Sequence, residues 1–392
     1  MRFPGLHPPV PLTSVPSIVV ISDRIDWRAP HDGAQPAHAV PWRGAATPPP
    51  PVTGGYLERL PLACIATGLV EQAEIWHHQH GGERAAFAAA GDRLGYRAFL
   101  LDDPAAPFAN RDMLEFVRRF GAPHVLVVYG LGVSAELLDA CAHSVIVYNS
   151  IDAPSLRVPA DVSARFDLVL TAAPWQSDEV TARHPDVVTA VMPVGPEFAA
   201  VDLFRPLDGP KDCDLIYVAA AQGYKRHDIL LDALDRLPRD VTGLLVFGYG
   251  EDAGRIRDEI AARGLSVDCI GPPGVGFDEV NRLMNRARFG VVCGRDDGAP
   301  AILTEYMLAG LPVLANVELA CGTQFILPDT GMLAAPDRFA EAIMLMRDRA
   351  ASFRPREAVL ARWTWPHTIE RLRPLLHGVA GQKNGNALSQ VN

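Results

Sequence analysis

Short apolar runs alternate with longer amphipathic stretches along the whole chain. In the first half the runs are Ser17–Ser22 (SIVVIS), Glu74–His78 (EIWHH), Tyr96–Leu101, His124–Gly130, Ser144–Tyr148 (SVIVY), Phe166–Ala172 (FDLVLTA) and Val188–Pro193. In the second half they are Asp214–Ala219, Gly243–Phe247, Val267–Ile270, the run ending at Val292, and Leu311–Ala315. Continuous apolar runs this short predict strands buried on both faces, as in parallel sheets. The stretches between them, among them Leu57–Leu69, Asp112–Phe120, Asp228–Leu237, Arg255–Arg263 and Phe277–Arg286, predict covering helices. The expected fold class is α/β, with one Rossmann-like doubly wound domain in each half. The first domain is placed at 1–204, a linker at 199–211 and the second domain at 211–362. An amphipathic run over 363–377 follows, and a polar tail, 378–392, is expected to be disordered.

The stretch Val291–Asn316 (VVCGRDDGAPAILTEYMLAGLPVLAN) is the most informative. It reads as strand, acidic glycine loop, short helix and strand. Pro300 suits the first helical position, and Gly310 with Pro312 just beyond it ends a helix over Ala301–Ala309. A helix entered from a glycine turn directs N–H groups and partial positive charge at an anion, phosphate being the usual one. Asp297 in the loop and Glu305 in the helix bracket that start, and carboxylates hold hydroxyls. The pair therefore points to a phosphate-linked sugar, whereas an ordinary βαβ turn would need neither carboxylate.

Other features narrow the reading. With 392 residues the chain suits two domains, and its formal net charge of −10 at pH 7 disfavours nucleic acid as a partner. The six cysteines have no metal-ligand spacing and predict free thiols in a reducing cytoplasm. No secretory leader or membrane-spanning run is visible. His77, His78 and His80 do not make a zinc site, because adjacent strand residues face opposite ways and two ligands are too few. The triplet Asp212-Cys213-Asp214 sits at a strand's start and is read as coincidence. A long loop, Asp23–Val52 with prolines at 48–51, ends at Thr53-Gly54-Gly55-Tyr56, and loops of this length are usually functional. Lys225 and Arg226 stand at a helix start, where cations oppose the dipole, so a functional reason is favoured.

Asp297-Gly298-Ala299-Pro300, then Glu305, then Gly310-Leu311-Pro312-Val313 resemble the E-G-x-P-x4-E…G-x-P-V signature of retaining GT-B glycosyltransferases of the GT4 type. Asp297 replaces that family's first Glu. Gly54-Gly55 matches the family's glycine turn after the first strand, and Lys225 its diphosphate-binding Lys. The family's Arg five residues before that Lys is Ala220 here, so either Arg226 compensates or Lys225 acts alone. Gly248-Tyr249-Gly250-Glu251 is similar to the family's G-x-G-x turn. Gly271–Gly276, with Val275, stands where the family's backbone packs round the nucleobase. The family's His-Asp pair at a strand end reads Ile151-Asp152, which keeps only the Asp; Asn149 could supply a substitute polar group. Trp363–Ile369 resembles the tryptophan-bearing segment before a last helix that returns to the first domain.

The resemblance implies two domains facing a central cleft, and retaining transfer of a hexose-type sugar from a nucleotide-diphosphate donor to a glycan, lipid-linked or small-molecule acceptor. Lys225 and the backbone at Gly298, Ala299, Pro300, Ala301, Ile302 and Leu303 would hold the leaving diphosphate. Glu305 would hold ribose, and Asp297 the transferred sugar. Gly54, Gly55, Asp152, Arg226, Gly248 and Val275 complete the implied donor site. Neither metal nor other cofactor is implied. A lipid-linked acceptor would bring a peripheral membrane contact, and the 23–52 loop is the candidate acceptor wall. Two other readings stay open: a non-catalytic nucleotide-sugar-binding partner protein and a GT-B nucleotide-sugar epimerase.

Overall fold

The computed structural model describes residues 17–26, 55–81, 84–89, 93–199, 201–298 and 300–389. They form two compact units. One comprises the described residues up to Val194 together with the segment from Trp365, and the other is Gly195–Thr364.

The first unit is built on an eight-stranded sheet. Its strands are β1 (Ser17–Asp26), β2 (Gln72–Gln79), β3 (Ala86–Ala89), β4 (Leu94–Leu100), β5 (Val125–Tyr129), β6 (Val145–Asn149), β7 (Leu168–Thr171) and β8 (Val188–Val191). They lie in the order β3-β4-β2-β1-β5-β6-β7-β8, all parallel except β3, which runs antiparallel on β4. The second unit holds β9 (Cys213–Val218), β10 (Gly243–Val246), β11 (Val267–Ile270), β12 (Ala287–Val292), β13 (Val313–Asn316) and β14 (Gly331–Ala334). Their order is β11-β10-β9-β12-β13-β14, parallel throughout. The alternation of apolar runs and helices thus yields two parallel sheets with interleaved helices, each face needing a cover to exclude water. The short antiparallel β3 escaped the sequence reading because a run of alanine and one phenylalanine carries little strand signal.

Three expectations about boundaries are corrected. Phe204, placed at the end of the first domain, belongs to the core of the second unit. It is 1% exposed, and its ring meets Phe277 edge-on at 5.9 Å. The residues after it are fastened to the same unit: the Arg205 and Leu207 amides donate to Asn281 Oδ1 (3.0 Å) and Asn285 Oδ1 (2.8 Å). The 199–211 stretch is correspondingly no loose linker at its start, since Ala199 bridges to Thr364 and its amide donates to the Trp363 carbonyl at 3.3 Å. The tail expected to be disordered from 378 instead continues a helix, Trp365–Ser389.

That helix is held through residues the polar composition hides. Val379 is buried, and Lys383 Nζ donates to the Ser144 carbonyl (2.5 Å) and Asp167 Oδ2 (2.6 Å). Asp167 Oδ2 also accepts the Ile146 amide at 2.7 Å, so the contact clamps the β6–β7 edge. Ending the chain at His377 should remove about 2–3 kcal/mol from the first unit, from one buried valine and one partly buried ion pair. The urea midpoint of the truncated chain measures this, and an unchanged midpoint would show that the clamp contributes nothing. Among the described residues no helix is long and apolar enough to cross a membrane.

Candidate functional site

In the second sheet the strand order reverses between β9 and β12. Connections from β9 lead outward to β10 and β11, and those from β12 to β13 and β14. Open α/β sheets bind ligands outside the C-terminal strand ends at such a point. Lys225 follows β9 and Asp297 follows β12, so both sequence candidates stand at the switch.

The loop after β9 ends in a tight turn, Gly223–Lys225, and Arg226 takes a left-handed conformation with φ 50°. Tyr217, inside β9, donates its hydroxyl to the Lys225 carbonyl at 2.6 Å and fixes the turn from below. The loop after β12 is tied to it by the Arg295 amide, which donates to the Tyr224 carbonyl at 3.1 Å. Asn316 Nδ2 donates to the Cys293 carbonyl (3.1 Å), and the Ala320 amide to the Arg295 carbonyl (2.7 Å). These bonds bring together residues 72 apart: Lys225 Nζ donates to Asp297 Oδ2. Both side chains are largely buried, 15% and 12% exposed, and the Tyr224 ring centroid lies 4.9 Å from Nζ. The result is a cation held rigidly, with two ammonium protons beyond the one given to Asp297.

Glu305 is buried in a helix of seven residues, Ile302–Leu308. Its neighbour Tyr306 pins the helix to β9: the Tyr306 hydroxyl accepts the Val218 amide (2.7 Å) and donates to the Ile216 carbonyl (3.2 Å). Gly290 in β12 makes room for that ring, since an added Cβ would lie 2.4 Å from it. Thr304 Oγ1 donates to the Pro196 carbonyl at 3.1 Å. The helix start departs from expectation. The Leu303 amide donates to the Pro300 carbonyl (3.1 Å), so it is spent within the turn, and Ala301 precedes the helix. Ala299 lies outside the described residues. A helix of two turns sums few peptide dipoles, so Lys225 is the stronger anion-attracting group here.

Arg226 does not reinforce Lys225. Its guanidinium pairs with Asp228 at 2.8 Å and lines an outer groove with Asp232, Arg236, Arg263 and Asp337. Its carboxylate partner is thus not the one Lys225 uses. Gly248 and Val275 do lie on adjoining loops: a Cβ on Gly274 would sit 2.9 Å from the Gly248 Cα, and the Ala221 amide donates to the Tyr249 carbonyl at 2.7 Å. Gly55 and Asp152 belong to the first unit, and Gly54 lies outside the described residues. Gly55's amide is already bonded to Glu58 Oε2 at 3.1 Å, and Asp152 is paired with Arg157 at 2.9 Å. A carboxylate of the chain itself thus sits at the start of the Tyr56–Ala66 helix, where a ligand anion was expected.

Sequence reasoning missed Tyr217 and Tyr306, the two fully buried hydroxyl-bearing rings beneath the site. The signal available was Gly290 inside an apolar strand, which marks a close approach of another group.

Residues 204–351 match the family model of glycosyl transferases group 1. Among curated proteins no sequence relative matches the chain. Among solved structures, sucrose-phosphate synthase from Thermosynechococcus elongatus superposes with TM-score 0.67 at 15% identity, over 93% of this chain and 99% of that one. Anabaena HepE in complex with UDP and glucose gives 0.62 at 14% identity, over 92% and 99%. The lipopolysaccharide outer core galactosyltransferase WaaB gives 0.56 at 14% identity, over 96% and 100%. Residues 204–351 are thus similar to the glycosyl transferases group 1 family, and the structural likeness shows the GT-B fold.

Proposed function

We propose that the protein transfers a hexose-type sugar from a nucleotide-diphosphate sugar to an acceptor with retention of anomeric configuration, as GT4-type enzymes do. The observation that carries this is the juxtaposition of Lys225 and Asp297 at the β9/β12 switch, with Glu305 on the helix that follows. The HepE structure, which holds UDP and glucose, and the pneumococcal O-GlcNAc transferase GtfA, which holds UDP and GlcNAc, support a nucleotide-sugar as the donor class.

Departure of a nucleoside diphosphate places new negative charge on the oxygen that leaves the sugar. A fixed cation lowers the barrier when it meets that charge more strongly than it meets the bound donor. Lys225 is such a cation. Its bond to Asp297 keeps it positioned while the other ammonium protons serve the phosphate. Asp297 keeps a second carboxylate oxygen for sugar hydroxyls, and the Glu305 carboxylate accepts from ribose. The reaction needs no metal in this reading, because Lys225 supplies the positive charge, and its place is the cytoplasm.

Thermal unfolding in the presence of UDP, GDP, ADP, dTDP and their sugars tests the proposal. A nucleotide at one hundred times its dissociation constant adds about 2.7 kcal/mol, a shift of several degrees. One base is expected to give that shift in the wild type, and Glu305→Ala is expected to abolish it. No shift with any nucleotide would sink the donor assignment. Donor binding without turnover would instead support the non-catalytic partner reading.

A further inference from the structure

Among the described residues, the C-terminal edge of the second sheet parts along a single seam. The ladder between β9 and β10 runs to Val246↔Val218, and that between β12 and β13 to Val292↔Ala315, so both reach the strand ends. The central ladder between β9 and β12 stops at Gly290↔Ile216, although β9 continues to Val218 and β12 to Val292. Strand geometry repeats every two residues, so Val218 presents its amide to the same side as Ile216. That amide is the next donor due to β12. It goes instead to the Tyr306 hydroxyl at 2.7 Å, and the same hydroxyl donates to the Ile216 carbonyl at 3.2 Å. The Tyr306 ring, fully buried, lies over Gly290, the last β12 residue of that ladder.

The hydroxyl has no need to be there if the seam is merely structural. In a closed seam a carbonyl of β12 would take the Val218 amide. A phenylalanine would fill the ring's space but leave that amide without a partner. The place of the seam gives the hydroxyl a use. β9 and β12 flank the switch point, and from their ends leave the loops that carry Lys225 and Asp297. Glu305 directly precedes Tyr306 in the helix Ile302–Leu308. The grip of Tyr306 on β9 therefore also sets how far Glu305 stands from the strand that leads to Lys225. A tyrosine suits this, being a rigid spacer with two side-chain torsions. A ligand held at two points gains from both only when their separation matches its own length.

We infer that Tyr306 is a positioning residue: its hydroxyl wedges the β9–β12 seam open and so fixes the separation of Lys225 and Glu305, on which binding of a nucleoside diphosphate depends. The inference rests on the sugar-transfer reading for the class of ligand that bridges the two. Tyr306 itself touches no ligand in this account; it acts through Glu305.

Affinities for UDP, GDP, ADP and dTDP are measured by calorimetry on the wild type, Tyr306→Phe and Gly290→Ala, with urea unfolding of each. Turnover of UDP-, GDP-, ADP- and dTDP-glucose is followed on the same proteins. Tyr306→Phe removes only the hydroxyl. Gly290→Ala keeps it but displaces the ring, since the added Cβ would lie 2.4 Å from it, and serves if Tyr306→Phe does not fold. The diphosphate that the wild type selects is expected to bind the folded variant roughly tenfold or more weakly. Where a donor is turned over, KM is expected to rise by a similar factor while kcat stays within about threefold, the mark of binding lost equally from ground and transition states. A hydroxyl that serves only the fold would lower the urea midpoint and leave the affinity of the folded protein unchanged, and that result overturns the inference. A fall in kcat with KM unchanged overturns it as well. A wild type that binds none of the four diphosphates overturns the sugar-transfer reading itself, and the role given to Tyr306 falls with it. A wild type that binds one of them, with variants that bind it equally well, overturns the role of Tyr306 alone.

Discussion

Lys225→Ala is expected to lower turnover of the nucleotide-sugar donor by about two to three orders of magnitude, the usual cost of removing one group that stabilises developing negative charge. The same substitution leaves Asp297 as a largely buried carboxylate without its cation, 12% of its side chain exposed. Stranding one member of such a pair costs on the order of 3 kcal/mol. A loss of activity alone would therefore not separate catalysis from unfolding. The double variant Lys225→Ala/Asp297→Asn does separate them, because it removes both charges together. Its urea midpoint is expected to return close to the wild-type value while donor turnover stays at the Lys225→Ala level. If turnover recovered along with stability, Lys225 would be a structural partner of Asp297 and the proposed role would be lost. Single-turnover measurement of nucleoside diphosphate release, at donor concentrations well above KM, is the readout that keeps binding losses out of the comparison.

Acidification should destabilise both units through one buried histidine in each. His78, in β2, is fully buried beside Phe108, and Asn110 Nδ2 approaches its Nδ1 at 3.2 Å. Asn110 Oδ1 accepts the Met113 amide at 2.8 Å, so its amide nitrogen is the group facing His78. That assignment puts the imidazole proton on Nε2. Burial, with the neighbouring His77 adding to it, pushes the His78 pKa down from 6.5 to about 3. His227, lodged between Tyr217 and Phe247, is pushed down to about 4 by burial and then by Lys225. The unfolded chain therefore binds more protons than the folded one below pH 6.5. Each contribution to stability is complete above that pH and is lost as pH falls towards 3 for His78 and 4 for His227. The full losses are on the order of 5 kcal/mol for the first unit and 3 kcal/mol for the second. Urea unfolding at pH 7.5 and pH 4.5 is expected to show a marked fall in midpoint of similar size in the two units, because at pH 4.5 both histidines are still mostly neutral in the folded chain. His78→Asn keeps an acceptor for Asn110 but cannot take up a proton, so it should flatten the pH dependence of the first unit. An unchanged slope in that variant would remove His78 as the cause.

The alternation of apolar runs and amphipathic stretches by itself determined two parallel α/β sheets, because a strand buried on both faces must be continuously apolar and its crossover must be helical. The spacing of Asp297, Pro300, Glu305 and Gly310 likewise located a loop–helix element locally, since turn and helix chemistry act within a few residues. Contacts made across long separations were decided only by the tertiary structure. Phe204 reads as the end of the first half, yet it serves the second unit's core, because its partner Phe277 is remote in the chain. Lys225 and Arg226 are adjacent and alike in charge, but one pairs with Asp297 and the other with Asp228. The tail from 378 is polar in composition, and what holds it is buried Val379 together with Lys383, which meets Asp167 from 216 residues away. Local propensity and periodicity record which element a segment prefers. They carry no record of which distant charge or ring will lie against it, and at this site those pairings are what place the chemistry.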